Sequence, residues 1–302
     1  MSDGKVLVLG GSGFIGQHLC ARLIARLGPG QVVATYCDSP FAGGVRFDSL
    51  TMRLSEIGVN LKDISHAVIL VGNINVDECA RHPESSRALN VTSVINIIDQ
   101  LEEFGICPVF ASSEVVFDGI KGGYVENDSV NPILLYGKQK VEIEVYIDRL
   151  ISPALIVRIA HVYGSDPAGG GVIAGWYRMV ASGEETVHCA SDYIASPIHV
   201  EDVAKAMDTL MKSGRHGIYH LAGPQPMSRK EIFETMLEEM NKNEPVDVAV
   251  ESCSIDDFST EERRPHDVSM RPDKLVVETG IELRDLRSAC RHLVATAGQA
   301  AT

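Results

Sequence analysis

The sequence predicts an α/β protein: a doubly wound parallel sheet followed by a smaller C-terminal lobe. Three observations carry this. Short apolar runs without polar alternation, the mark of strands buried on both faces, recur between segments of helical period. A glycine-rich turn joins the first such run to the first helical segment. The rhythm changes after Gly164, and the chain from Ser228 onward is more charged and less regular.

Residues 6–9 form the first buried strand, ending in glycines. A helix over 14–27 follows, with Ile15, Leu19, Leu23 and Leu27 on one face, and Gly28-Pro29-Gly30 stops it. Strands are predicted at 31–36, 45–47, 67–71, 107–111 and 154–159, and a long helix at 83–103 with Pro83 near its start. Asn131-Pro132 predicts an N-cap and first turn for a helix reaching about residue 150. Right-handed crossovers between such strands give a parallel sheet. Beyond the Pro/Gly loop at 166–171, helices are expected at 173–181 and 200–211, a strand at 217–221 and a helix at 228–240. The expected division is a dinucleotide-binding domain at 1–164 plus about 190–222, with a substrate lobe at about 165–189 plus 223–302. Ile232, Met236 and Met240 form an apolar face that fits lobe core or, less simply, a homodimer contact.

Composition narrows the function. The 302 residues carry 27 basic and 41 acidic side chains, a formal net charge of −14. That argues against a nucleic-acid groove or a polybasic membrane anchor. No apolar run is long enough to span a bilayer, and the N-terminus enters a strand directly, so no leader is expected. Seven scattered cysteines without a C-x-x-C fit a reducing, cytoplasmic location. Cys79 and His82 lack a second pair at zinc spacing, so no metal is expected.

The turn Gly10-Gly11-Ser12-Gly13-Phe14-Ile15-Gly16 reads G-x-x-G-x-x-G. Gly10 permits the tight turn, Gly13 lets a pyrophosphate approach the backbone, and Gly16 lets the helix pack on the strand. The helix N-terminus offers unpaired N–H groups to phosphate. This is the position of a dinucleotide turn in a Rossmann sheet. Tyr36 and Asp38, ending the second strand, are candidate ribose contacts. Asp38 repels a 2′-phosphate and no basic residue lies between the end of that strand and Arg46, so NAD(H) is favoured over NADP(H). Asp48 fits an acceptor for the adenine amine or a plain turn residue. Val71, Gly72 and Asn73 end the fourth predicted strand, where bound dinucleotide crosses the sheet edge.

Tyr136 and Lys140 are spaced Y-x-x-x-K, so a helix places phenol and ammonium on one face. The ammonium is expected to lower the phenol's pKa and make it a usable general acid. Ser112-Ser113 ends the preceding strand, where a hydroxyl either holds a carbonyl or caps a turn.

Glycine turn, serine and Tyr–Lys helix in this order resemble the extended short-chain dehydrogenase/reductase family. Ser112-Ser113-Glu114-Val115-Val116-Phe117-Asp118-Gly119, Tyr136-Gly137-Lys138, Arg158 through Gly164, and Arg264-Pro265 with Ser269 and Lys274-Leu275 are similar to the dTDP-4-dehydrorhamnose reductase subgroup. The resemblance implies a catalytic trio of Ser113, Tyr136 and Lys140. It implies a cofactor site of Gly10, Gly13, Phe14, Ile15, Asp48, Val71, Gly72, Asn73 and Lys140. It further implies reduction of a nucleotide-linked 4-keto-6-deoxy sugar in a pocket walled by Glu114, Val115 and His161. Val115 stands where the subgroup has Tyr, and His161 where it has Trp. Those departures keep open an epimerase of the same fold, or a regulatory subunit like the methionine adenosyltransferase β-subunit.

Overall fold

The computed structural model describes residues 4–242 and 245–300. Residues 1–3, on which the reading of the N-terminus partly rests, lie outside them, as do residues 243–244 and 301–302 of the expected lobe. Among the described residues, seven strands form one parallel sheet: β1 (Lys5–Leu9), β2 (Val32–Tyr36), β3 (Val45–Arg46), β4 (Ile64–Ile69), β5 (Cys107–Ser113), β6 (Leu155–Ile159) and β11 (Gly217–Leu221). Their spatial order is β11-β6-β5-β4-β1-β2-β3. The order reverses beside β1, so a crevice opens between the carboxyl ends of β1 and β4, the usual ligand position in such sheets.

Each face of the sheet is covered because its side chains are apolar on both sides. On one face, α1 (Phe14–Leu27) and α7 (Val200–Lys212) pack Leu19, Leu23, Val203, Met207 and Leu210 against Val6 and Val8. Arg22 and Arg26 reach from α1 to the buried Asp208 of α7, at 2.9 and 2.6 Å. On the other face Val94, Ile97, Ile98, Leu101, Ile143 and Ile147 pack against Leu7, Leu9 and Phe110.

The helix predicted over 83–103 is three consecutive pieces: α3 (Pro83–Arg87), a π-helical turn (Ala88–Thr92) and α4 (Ser93–Glu103). A short α2 (Val76–Arg81) precedes them. The helix predicted from Asn131 begins later, as α5 (Leu135–Ile147). The reason is that Asn131 is used elsewhere: its amide donates to Asp118 Oδ2 at 3.1 Å and its N–H to the Val116 carbonyl at 3.0 Å. The carboxylate of distant Glu262 instead accepts the Leu135 N–H, at 3.0 and 3.1 Å.

Beyond β6 come β7 (Val162–Tyr163), α6 (Val172–Ala181), β8 (Thr186–Ala190), β9 (Ile194–Ala195) and β10 (Ile198–His199). After β11 follow β12 (Met227–Ser228), α8 (Arg229–Asn241), β13 (Ala249–Cys253), α9 (Asp273–Thr279) and α10 (Leu286–Ala300). Ile173, Phe233, Met236, Cys290 and Leu293 form a separate core here. Ile232, Met236 and Met240 are buried in it, so that face of α8 is consumed within the chain. Met270, Leu275 and Ile281 pack back onto the sheet's core. None of the described helices is long and apolar enough to cross a membrane.

Candidate active site

The glycine turn is shaped by backbone demands. Gly10 sits at φ +91°, and its N–H donates to Thr35 Oγ1 of β2 at 3.2 Å. A side chain at Gly16 meets the Gly10 carbonyl oxygen at 2.2 Å, so α1 can approach β1 only with glycine there. Gly13, the N-cap of α1, is different. A Cβ on it meets only the Gly10 oxygen, at 3.3 Å, which leaves open space before the N-terminus of α1. That space fits a pyrophosphate on the helix N-terminus. Gly13→Val is therefore expected to fold, with circular dichroism unchanged, while dinucleotide affinity falls at least tenfold; unchanged affinity places the phosphates elsewhere.

A cavity of about 890 Å³ runs from Phe14, Ile15 and Gly16 past Leu70, Val71 and Ala111 to Tyr193, Arg229 and Arg264. Ser113, Glu114, Val115, Tyr136, Lys140 and His161 all line it. The other sequence candidates shape its surroundings. Gly72, at φ +145°, and Asn73 turn the loop after β4, where Asn90 of the π-helical turn accepts the Asn73 N–H at 2.7 Å and returns its amide to the Asn73 carbonyl at 3.0 Å. Asp48 caps its own turn, accepting from Leu50 N–H at 3.0 Å and Thr51 hydroxyl at 2.8 Å, which holds its carboxyl below the usual range. Tyr36 packs edge-on to Phe41, and Asp38 is exposed. Arg46 lies in register with Tyr36 on the neighbouring strand.

The two serines part company. Ser112, also on the cavity wall, is buried and donates to Glu144 Oε1 at 2.5 Å. Ser113 faces the cavity and its Oγ accepts the Val115 N–H at 3.4 Å. Gly137 lets α5 touch this corner, since a Cβ there lies 2.2 Å from the Val115 carbonyl oxygen. Tyr136 is thereby brought to the wall beside Val115, with the buried Cys79 packed in the same cluster. Lys140 Nζ donates to the Ala111 carbonyl at 2.8 Å and lies 5.4 Å from the Tyr136 ring centre.

Burial governs the protonation states. It pulls the Lys140 ammonium down to about 8, opposed by the negative charge of Glu144. It pushes the Tyr136 phenol up, with a further rise from Cys79. The expectation that Lys140 lowers the phenol's pKa is not met: burial is the leading cause and it raises the phenol. Tyr136 keeps its proton across neutral pH. Burial also lifts Glu114 to about 8, against a hydrogen bond from the His161 N–H at 3.1 Å and the charge of Arg229. His161 is pulled down to about 4 by burial and then by Arg229.

Arg229 and Tyr193 line the cavity but gave no signal in the sequence, because isolated residues in irregular segments carry no spacing. The Cys79 thiol donates to the Asn73 carbonyl at 3.4 Å, and among the described residues no group of three or more His, Cys, Asp or Glu side chains is arranged to hold a metal.

Sheet order, glycine turn and the Ser, Tyr and Lys side chains on one cavity define a member of the extended short-chain dehydrogenase/reductase class. The chain belongs, more narrowly, to the family described as RmlD substrate binding domain, which matches residues 4–298. It is 23% identical to the dTDP-4-dehydrorhamnose reductase of Aggregatibacter actinomycetemcomitans, over 97% of this chain and 99% of that one. It is 29% identical to methionine adenosyltransferase 2 subunit beta of Danio rerio, over 52% of this chain and 50% of that one. The crystal structure of the Bacillus anthracis dTDP-4-dehydrorhamnose reductase in complex with NADP shares the fold, with a TM-score of 0.80 at 19% identity, covering 97% of this chain and 99% of that one.

Proposed function

We propose that this chain is a nicotinamide-dependent reductase of a nucleotide-linked 4-keto sugar. The observation that carries the reading is the meeting of Ser113, Tyr136 and Lys140 on one wall of a cavity that begins at the glycine turn. A nicotinamide dinucleotide, when bound, supplies the hydride and leaves oxidised as the ketone becomes an alcohol. Tyr136 gives its proton to the carbonyl oxygen. Ser113 donates a hydrogen bond to that same oxygen and fixes its direction. Lys140, anchored on the Ala111 carbonyl, keeps a positive charge beside the phenol as it becomes phenolate.

Family relatives named dTDP-4-dehydrorhamnose reductase support the sugar class over nearly the whole chain. The regulatory-subunit reading is supported by a relative that this chain matches over only about half its length. The deciding experiment incubates a panel of nucleotide-linked 4-keto sugars with NADH and NADPH and reads product mass. A product heavier by two hydrogens supports a reductase. Sugar isomerised without net consumption of dinucleotide supports an epimerase, and no turnover with capture of a protein partner supports a regulatory subunit. Seven unpaired thiols support a cytoplasmic site of action.

NADH is the reading we favour for the dinucleotide. The Asp38 carboxylate, exposed just past β2, opposes a 2′-phosphate, and Arg46 lies one strand away with its guanidinium 3.8 Å from Met52 Sδ. NADH is expected to bind several-fold tighter than NADPH in a fluorescence titration, and Asp38→Ser to narrow the gap. Tighter NADPH binding by the wild type overturns this.

A further inference from the structure

We infer that the inner end of the cavity is built to take a carboxylate borne by the sugar close to its reacting carbonyl, with Arg229 as the counter-charge. The inference rests on the nucleotide-sugar reading above and specifies its substrate.

The chain is acidic overall, yet the cavity wall holds two guanidinium groups, Arg229 and Arg264. They are differently employed. Arg264 donates to Asp77 at 2.6 Å, which balances its charge, and keeps one buried Nη1 without a partner. Arg229 makes no ion pair among the described residues. Its guanidinium lies 5.0 Å from the centre of the Tyr193 ring, and its Nε is buried with no hydrogen-bond partner. A buried donor on a permanent cation is costly to leave unmet, and a carboxylate meets it with a charge-assisted, directional bond.

The carboxyl group nearest in role cannot do this. Glu114 is buried, with Oε2 accepting the His161 N–H at 3.1 Å. Burial lifts it to about 8, so near neutral pH it is mainly the uncharged acid. His161 lines the same wall, its ring has no hydrogen-bond partner among the described residues, and burial with Arg229 nearby keeps it neutral. At pH 7 this corner therefore holds one net positive charge, an acid O–H and an imidazole N–H. Each can donate to an anion and none repels one.

Position separates a sugar carboxylate from the diphosphate. Glu114 directly follows Ser113, so the corner lies at the reacting end of the cavity. The charge of Arg229 acts on Glu114 and His161, and both arginines act on Tyr193, whereas Arg264 is paired with Asp77. Arg264, already paired with Asp77, is the cation left for the nucleotide side. Val115 and His161 are smaller than the Tyr and Trp that the resemblance sets there, which leaves room for a substituent bulkier than a methyl group.

The test measures binding of UDP-glucuronic acid, UDP-glucose and UDP by calorimetry to wild type, Arg229→Met, Arg229→Lys and Arg264→Met, and repeats it with the dTDP counterparts. The wild type should bind the uronic acid at least 10-fold tighter than the hexose, the scale of one charge-assisted hydrogen bond. In Arg229→Met that ratio should fall to near one, and Arg229→Lys should recover part of it. Free UDP should lose more affinity in Arg264→Met than in Arg229→Met. Equal loss of uronic acid, hexose and UDP in Arg229→Met makes Arg229 a diphosphate clamp and overturns the inference, as does a wild type that prefers the hexose. Binding of none of these sugars overturns the nucleotide-sugar reading itself. Uronate preference without any ketone turnover leaves the carboxylate site standing and removes only the reductase.

Discussion

Tyr136→Phe is expected to lose about 100- to 10,000-fold in turnover, the range that a positioned general acid supplies. The substitution removes one oxygen from a side chain that is otherwise packed with Cys79, Val115 and Leu134, so the fold and the cavity should stay as they are. Dinucleotide affinity should change little, since the glycine turn lies at the other end of the cavity. Single-turnover kinetics with a 4-keto sugar, alongside a dinucleotide titration, separates the two effects. A variant that reduces the ketone as fast as the wild type removes Tyr136 from the chemistry. The pH profile carries a second signature. Burial pulls Lys140 down to about 8, so the ammonium beside the phenol is present below that pH and lost above it. The kcat/KM for the dinucleotide reports the free protein and should fall as pH rises through about 8.

The sequence made the frame of this protein legible and hid several of the joints. Buried strands announce themselves because both faces are apolar, and β1, α1 and β11 fall close to where their patterns put them. β4 starts at Ile64 rather than Ala67, because Ser65 and His66 interrupt the apolar run while the ladder to β1 continues through them with a shift in register that leaves Ser65 unpaired. The start of α5 was misplaced because Asn131 has two partners to choose between, and only the fold brings Asp118 within its reach. Tyr136 and Lys140 stand out by spacing, and the family resemblance singles out Ser113 beside them. The tie that holds Ser112 does not, since Glu144 and its partner Arg158 lie far from Ser112 in sequence. The same holds for the protonation of Tyr136. Spacing reveals the nearby ammonium, whereas desolvation depends on everything packed around it.

Arg158→Met should be the most destabilising change near the site, about 3–5 kcal/mol, because it strands a buried charge. Arg158 and Glu144 have side chains only 3% and 7% exposed and are joined by two hydrogen bonds, of 3.1 and 2.7 Å. Arg158 Nη1 also reaches the Glu126 carbonyl at 3.4 Å, and its guanidinium lies 5.2 Å from the Phe117 ring centre. Methionine fills much of the volume but leaves the Glu144 carboxylate with the Ser112 hydroxyl alone among these partners. Replacing both members, as Arg158→Met with Glu144→Leu, removes the stranded charge and should recover most of the stability in urea unfolding. Activity should not recover with it. Glu144 stands one helical turn beyond Lys140 and fixes Ser112, the neighbour of Ser113, so the double variant loses the tie that aligns strand β5 with helix α5. A single variant within 1 kcal/mol of wild type shows the pair to be dispensable for stability. A stable double variant with full turnover shows that Ser113 and Lys140 are held in place without it.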